Sequence, residues 1–202
     1  GLVWPDAGDP SGALNTQVAF IKGYSLNQVI KTQEELFGDA FLRQVTENLT
    51  PEFRAALATR LIVPSGWYPV TWVGELHRVA YQLLPQENNV PEQISRRAVE
   101  NDMRGVYGFL TRFASPEFLL NQAGRVMKTY LKGPRVEVRV LGPGHAELRY
   151  LECHGFNRFF WRAVAEATLC MIEKSGAKNA RARFAEGGRD GDTQAHSVVR
   201  WE

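Results

Sequence analysis

Cysteine is scarce in this chain. Two residues, Cys153 and Cys170, stand among 202, too few for the disulfide framework of a secreted fold and in keeping with a reducing, cytoplasmic setting. Histidine is hardly commoner, at His77, His145, His154 and His196. Together these residues give one close pair, Cys153-His154, whose side chains point to opposite faces of a strand, so no metal site is expected. Long apolar runs are missing too. None approaches the roughly 18 residues of a membrane span, and Gly1-Leu2-Val3-Trp4-Pro5 has neither the basic start nor the apolar run of a signal peptide. Surplus charge is small, 24 Lys and Arg against 22 Asp and Glu, a net charge of +2. That balance points away from nucleic acid, which needs a clustered basic surface. Catalytic signatures are absent as well: no Gly-x-Ser-x-Gly elbow, no Gly-x-x-x-x-Gly-Lys phosphate loop, no His-Glu-x-x-His. Gly187-Gly188-Arg189-Asp190-Gly191-Asp192 lacks calcium-loop spacing and no helix follows it, so it reads as a solvated hairpin turn.

What is present is a hydrophobic share of 44%, enough for a real core at this length. Residues 1–16 hold Pro5, Gly8, Pro10 and Gly12 among small and acidic residues and read as a flexible tail. Val18-Ala19-Phe20-Ile21 is either a short strand or the lead into a helix. Helical spacing follows, with Leu26, Val29, Ile30, Leu36 and Phe37 behind Ser25 as N-cap, and Gly38 as terminator. Three proline-acid helix starts come next, Thr50-Pro51-Glu52, Val90-Pro91-Glu92 and Ser115-Pro116-Glu117, with Thr50 and Ser115 as capping hydroxyls. Between the first two, Leu76, Val79, Ala80, Leu83 and Leu84 give a further apolar stripe.

At Gly133-Pro134 the period changes from near four to two. Val136, Val138 and Val140 alternate with Glu137 and Arg139; Ala146, Leu148 and Tyr150 alternate with Glu147 and Arg149. Gly142-Pro143-Gly144 turns between them, so residues 135–153 form a hairpin. A long helix spans Phe156 to Met171 and ends at Ser175-Gly176; strands follow around Ala180–Phe184 and His196–Trp201. The expected class is α+β: a helical N-terminal part, 17–134, followed by a small antiparallel sheet, 135–202, in the order ββαββ and packed on a long helix, the two forming one compact domain.

Glu152-Cys153-His154 is the densest reactive cluster, at the junction of hairpin and helix, where a thiolate near a helix N-terminus would be activated. Aromatic residues are more telling. Phe159, Phe160 and Trp161 are consecutive on a helix that turns about 100° per residue, so at least one must face something other than the sheet. Packing against the helical front accounts for this most simply; a ligand or a second subunit are the alternatives. Trp67, Trp72, Tyr107, Tyr150, Phe156 and Phe160 are expected to line a pocket between the two parts, with Glu152 and His154 as polar anchors.

Residues 135–201, with hairpin, long helix after a Gly-aromatic step, second hairpin and terminal Val199-Arg200-Trp201, resemble the ligand-binding fold of H-NOX haem sensors, vinyl-reductase-type sensor domains and the small subunits of the TRAPP tethering complex. Leu36-Phe37-Gly38, Trp67-Tyr68-Pro69, Arg104-Gly105-Val106-Tyr107 and Ser115-Pro116-Glu117-Phe118-Leu119-Leu120 resemble an uncharacterised family abundant in myxobacteria. The resemblance implies a non-enzymatic cytoplasmic sensor or binding module for a small apolar ligand, acting as a homodimer. A TRAPP-like scaffold subunit and a thiol enzyme using Cys153 are the alternatives. H-NOX proteins hold haem propionates with Tyr-x-Ser-x-Arg; here the stretch reads Tyr150-Leu151-Glu152-Cys153-His154, which sets an acid against two carboxylates. His77, in Glu75-Leu76-His77-Arg78, reads as a helix surface residue rather than an iron ligand. No haem, and no cofactor of any kind, is therefore expected.

Overall fold

A computed structural model describes residues 18–59, 62–104 and 114–202; the expected tail and Tyr107 lie outside them. The chain runs β1 (Phe20–Lys22), α1 (Gly23–Phe37), α2 (Asp39–Glu47), α3 (Pro51–Ala58), β2 (Trp67–Pro69), α4 (Val70–Leu83), α5 (Val90–Met103), α6 (Pro116–Tyr130), β3 (Leu131–Lys132), β4 (Arg135–Gly142), β5 (His145–Leu151), α7 (Arg158–Lys174), β6 (Arg181–Gly187) and β7 (Ala195–Arg200). The ββαββ order is as expected, with the antiparallel sheet ordered β4-β5-β7-β6.

The helical part holds a second sheet, of which the sequence announces only β1, through the short-strand reading of Val18-Ala19-Phe20-Ile21. β1 pairs antiparallel with β2 and with β3, matching Phe20 to Pro69 and Lys132. Strands of two or three residues are too short to show a period, but these three tie the start, middle and end of the helical part together. The same sheet decides where α1 begins. Gly23 N–H donates to Gly66 O and Tyr24 N–H to Pro64 O, both at 2.9 Å, so the 64–66 loop serves the helix's first amides and Ser25 is not the N-cap. A Cβ on Gly23 would lie 2.0 Å from Val63 O, so only glycine fits. Thr50 departs from expectation in a similar way. Its hydroxyl and amide both go to the Glu75 carboxylate, at 3.0 and 2.6 Å, and not to the amides of α3. Ser115 does cap α6, its Oγ accepting from Phe118 N–H at 3.2 Å.

Helix α7 lies between the sheet and the other helices. Trp161, fully buried, meets Tyr150 and Phe184 of the sheet edge-on at 5.7 and 5.6 Å. Phe159 packs on Tyr81 at 5.1 Å, and Phe160 on His77 at 6.5 Å, both partners on α4. The helical front is thus what the extra rings face. Gly74 lets α4 come this close, since a Cβ there would stand 2.8 Å from Asn157 Nδ2.

Charged side chains register α5 against α7. Arg96 reaches Glu166 and Glu173 at 2.6 Å each, and Arg162 reaches Glu92 at 2.6 and 2.9 Å and the Asn88 carbonyl. Ser95 Oγ–H donates to Ala163 O at 2.6 Å, in the buried centre of the contact. Removing the largest ring of this core should cost most: Trp161→Ala is expected to destabilise by about 3–5 kcal/mol. Leu141→Ala, at a 45% exposed side chain, should stay within about 0.5 kcal/mol. Urea unfolding of the two variants measures both.

Candidate functional site

The turn between β5 and α7 is built from contacts to both parts of the chain. Cys153 N–H donates to Thr193 O at 2.8 Å and Ala19 N–H to His154 O at 2.9 Å. Gly155 has φ +92, and a Cβ there would sit 2.9 Å from Val18 Cγ1 and 3.1 Å from Val70 Cγ1, so a side chain is excluded twice over. Glu152 takes φ 58, a left-handed conformation that non-glycine residues seldom adopt. Asn157 caps α7 by accepting from Phe160 N–H at 2.9 Å, and Asp190 accepts from Arg158 N–H at 2.8 Å. The glycine-rich 187–192 segment, expected as a solvated turn, thus reaches the first amide of α7.

The predicted site residues fall into three places. Tyr150, Phe156 and Phe160 meet around Trp161 in the core, with Phe156 at 4.6 Å from Phe160 and 4.8 Å from Trp161. Burial pushes the Tyr150 phenol up to about 12, while a hydrogen bond with Thr168 pulls it down. Trp72 stacks on Phe53 at 4.5 Å and on Tyr68 at 5.7 Å. It borders an open groove of about 370 Å³ lined also by Thr50, Glu52, Thr71, Glu75, Arg78 and Asn157. Trp67 stands apart, with the Lys22 and Lys132 ammonium groups 4.5 and 4.9 Å from its ring centroid. Glu152 and His154 do not turn inward: Glu152 is 53% exposed, and the two side chains pair at 3.1 Å.

Cys153 is buried, and its thiol is pushed up to about 12, first by burial and then by the Glu152 charge. A thiol so placed supplies no thiolate near neutral pH. Cys170 is buried likewise and raised to about 11.

The group that sequence reasoning missed is His77. It is 1% exposed, not a surface residue, and its ring stacks on Phe160 where α4 meets α7. Among the described residues, its Nδ1 is buried without a hydrogen-bond partner, as are Gln33 Oε1 and Thr32 Oγ1. Gln33 Nε2 donates to Leu76 O, one residue before His77, at 3.3 Å. Burial, and then the charge of Arg162, hold the imidazole down to about 3, so it is neutral. The signal for it was in the sequence: Val73, His77 and Ala80 fall at i, i+4 and i+7, on the apolar stripe of α4.

Solved structures of similar fold include H-NOX proteins. The Fe(II) unliganded H-NOX protein from K. algicida is 12% identical, covering 90% of this chain and 97% of its own, with a TM-score of 0.69. A point mutant of the T. Tengcongensis H-NOX is 15% identical, with 90% and 98% covered and a TM-score of 0.63. An oxygen-binding H-NOX domain related to soluble guanylate cyclases, solved as its oxygen complex, is 13% identical, with 90% and 95% covered and a TM-score of 0.64. The chain therefore has the H-NOX fold. It belongs to the family described as Protein of unknown function (DUF2378), whose model matches residues 28–202. No curated protein matches it by sequence.

These neighbours correct the expectation of no cofactor. Two of the matching structures, one of them of the H-NOX family, are described by the redox potential or distortion of their haem, and haem is the group against which this site has to be measured. The expectation rested on Glu152 and His154 facing a ligand, whereas they face solvent and each other, so their charge says nothing about the interior. Measured against haem, His77 offers the iron a neutral imidazole whose Nδ1 has no hydrogen-bond partner among the described residues. The Tyr150–His154 turn does not suit the propionates, since it presents a buried phenol, a buried thiol and an acid-imidazole pair at the surface.

The neutral His77 makes stability depend on pH. The folded state keeps the imidazole unprotonated while the unfolded chain takes up a proton below 6.5, so stability falls as the pH drops from about 6.5 toward 3. At pH 5 the loss from this one residue is about 2 kcal/mol. Urea midpoints at pH 7.5 and 5 should show it in the native chain and lack it in His77→Leu.

Proposed function

We propose that this chain is a non-enzymatic sensor domain of H-NOX type that takes a small ligand at the contact of α4 with α7, with haem as the candidate ligand. One observation carries the proposal: His77, a neutral imidazole with a partnerless Nδ1, is buried where the helical part meets α7. A histidine in that state loses hydrogen bonding that water would supply, roughly 1–3 kcal/mol, and an iron or another electron-pair acceptor would restore it. The Phe160 ring stacked on it at 6.5 Å presents an apolar face of the kind a flat molecule packs against. Haem bound there would supply an iron centre for a diatomic gas, and His77 would be the residue to hold it.

Titration of the purified protein with haem under reducing conditions tests this. The expected result is a Soret band that saturates near one equivalent, survives His154→Ala and is lost in His77→Ala. A native chain without such a band, or a band indifferent to His77, rejects haem at this site. Thermal shift with metal-free apolar ligands then tests the broader reading.

A second feature favours a homodimer. Phe118 and Val126, eight residues apart on α6, are 56% and 38% exposed, and an apolar pair on one helix face is better placed against a second copy than against water. Light scattering at micromolar concentration should give the mass of two chains, falling to one in Phe118→Glu.

A further inference from the structure

The net charge of +2 conceals a separation of charge that only the strand register discloses. α7 covers one face of the four-stranded sheet. The other face carries Arg135, Glu137 and Arg139 from β4, Glu147 and Arg149 from β5, Arg181, Arg183 and Glu186 from β6, and Arg200 from β7. Six arginines against three glutamates leave a surplus of three positive charges on one flat surface, more than the whole chain carries.

The strands distribute these charges unevenly. On the β4 side, register opposes unlike charges, Glu137 to Arg149 and Arg139 to Glu147. On the β6 side it opposes like charges: Arg181 stands directly across from Arg200, with Arg183 two residues further on the same face. Like charges directly opposite destabilise a sheet. Among the described residues, none of the six arginines has a carboxylate within ion-pair distance. All six are exposed. Packing does not require this arrangement, since any polar residue would serve a solvent face.

We propose that this face, centred on Arg181, Arg183 and Arg200, docks a carboxylate-rich surface of another protein. Arginine's planar fork takes carboxylates bidentately, and the charge of the face asks for an acidic partner. The interleaved glutamates favour a protein over a polyphosphate, because Glu137, Glu147 and Glu186 would repel a continuous phosphate chain, whereas a protein surface can match both signs. Four strands about 4.8 Å apart and some 20 Å long offer roughly 300–400 Å². That is about half of what each partner gives to a standard interface, so the docking is transient and salt-sensitive. For a sensor domain this would be the surface that addresses an output protein, but the inference rests on the sheet alone and does not need the ligand at His77.

A fluorescent Glu-rich peptide, a DNA duplex of equal charge and vesicles containing phosphatidylserine are the probes, each titrated with the whole chain. The expected result is peptide binding that weakens severalfold between 50 and 200 mM salt. It should weaken at least tenfold when Arg181, Arg183 and Arg200 are each changed to Glu, with the melting temperature kept. Changing Lys31, Arg43 and Arg54 to Glu, the same charge change on the helical part, should leave peptide binding within twofold. Absence of peptide binding at low salt, equal loss in the two triple variants, or tighter binding of DNA or vesicles through the same arginines would overturn the proposal.

Discussion

Three consecutive rings on one helix set the terms for this structure. Phe159, Phe160 and Trp161 are separated by about 100° each, so no single surface can bury them all. The chain resolves this by covering α7 from two sides. Trp161 goes into the sheet, and Phe159 and Phe160 go to α4. Burying a large apolar side chain is worth about 1.5–3 kcal/mol. Two such rings left in water would therefore consume a large part of the 5–15 kcal/mol margin of an ordinary domain. Neither part of the chain can shed the other without that loss.

Polar contacts refine what the rings begin. Arg96 and Arg162 each bind carboxylates across the α5–α7 contact, but the Arg96 side chain is 36% exposed and Arg162 32%, and half-solvated pairs of this kind contribute little net stability. Their geometry matters more than their energy. A guanidinium held by Glu166 and Glu173 at once fixes how far α5 can slide along α7, and Ser95 on the Ala163 carbonyl fixes the same register from the buried side. Among the described residues, buried atoms without a hydrogen-bond partner are not confined to this contact, since Gln28 Oε1, Trp161 Nε1 and His196 Nε2 share that state with His77, Gln33 and Thr32. What sets His77 apart is its chemistry, a neutral imidazole that can donate an electron pair, and that is the reason to read function there.

Much of the fold was legible because it rests on period and punctuation. The switch at Gly133-Pro134, the hairpin turn, the proline-acid starts and the Ser115 cap are local signals, and the structure follows them. Ser25 and Thr50 failed as caps for a tertiary reason: the 64–66 loop reached the amides of α1 first, and the Glu75 carboxylate took the Thr50 hydroxyl. Of the small β2-β1-β3 sheet only β1 was legible, as one of two readings of Val18–Ile21; its pairing with β3 spans more than a hundred residues. In the candidate site, the aromatic members Tyr150, Phe156 and Phe160 do meet, being tied to one helix and its neighbouring strand. Glu152 and His154 were placed inward because a strand pattern was carried one turn too far; the left-handed Glu152 ends that pattern and turns them to solvent. His77 was misread because its neighbours Glu75 and Arg78 are polar, although the stripe through Val73 and Ala80 passes over it.

The basic face illustrates a limit of another kind. Alternating Arg and Glu along each strand are visible in the sequence, and taken one strand at a time they say only that this side meets water. Whether an arginine lies beside a glutamate or another arginine depends on register between strands up to 55 residues apart, as from His145 to Arg200, and composition averages that away. The same sheet therefore separates two chemistries that the sequence mixes. Its inner face holds rings against α7, where polar atoms are few and unpaired ones are costly; its outer face holds charge in water, where an unpaired guanidinium costs almost nothing until a partner arrives. Since side chains alternate along every strand, the two faces are joined by single peptide units such as Arg149–Tyr150 and Val199–Arg200.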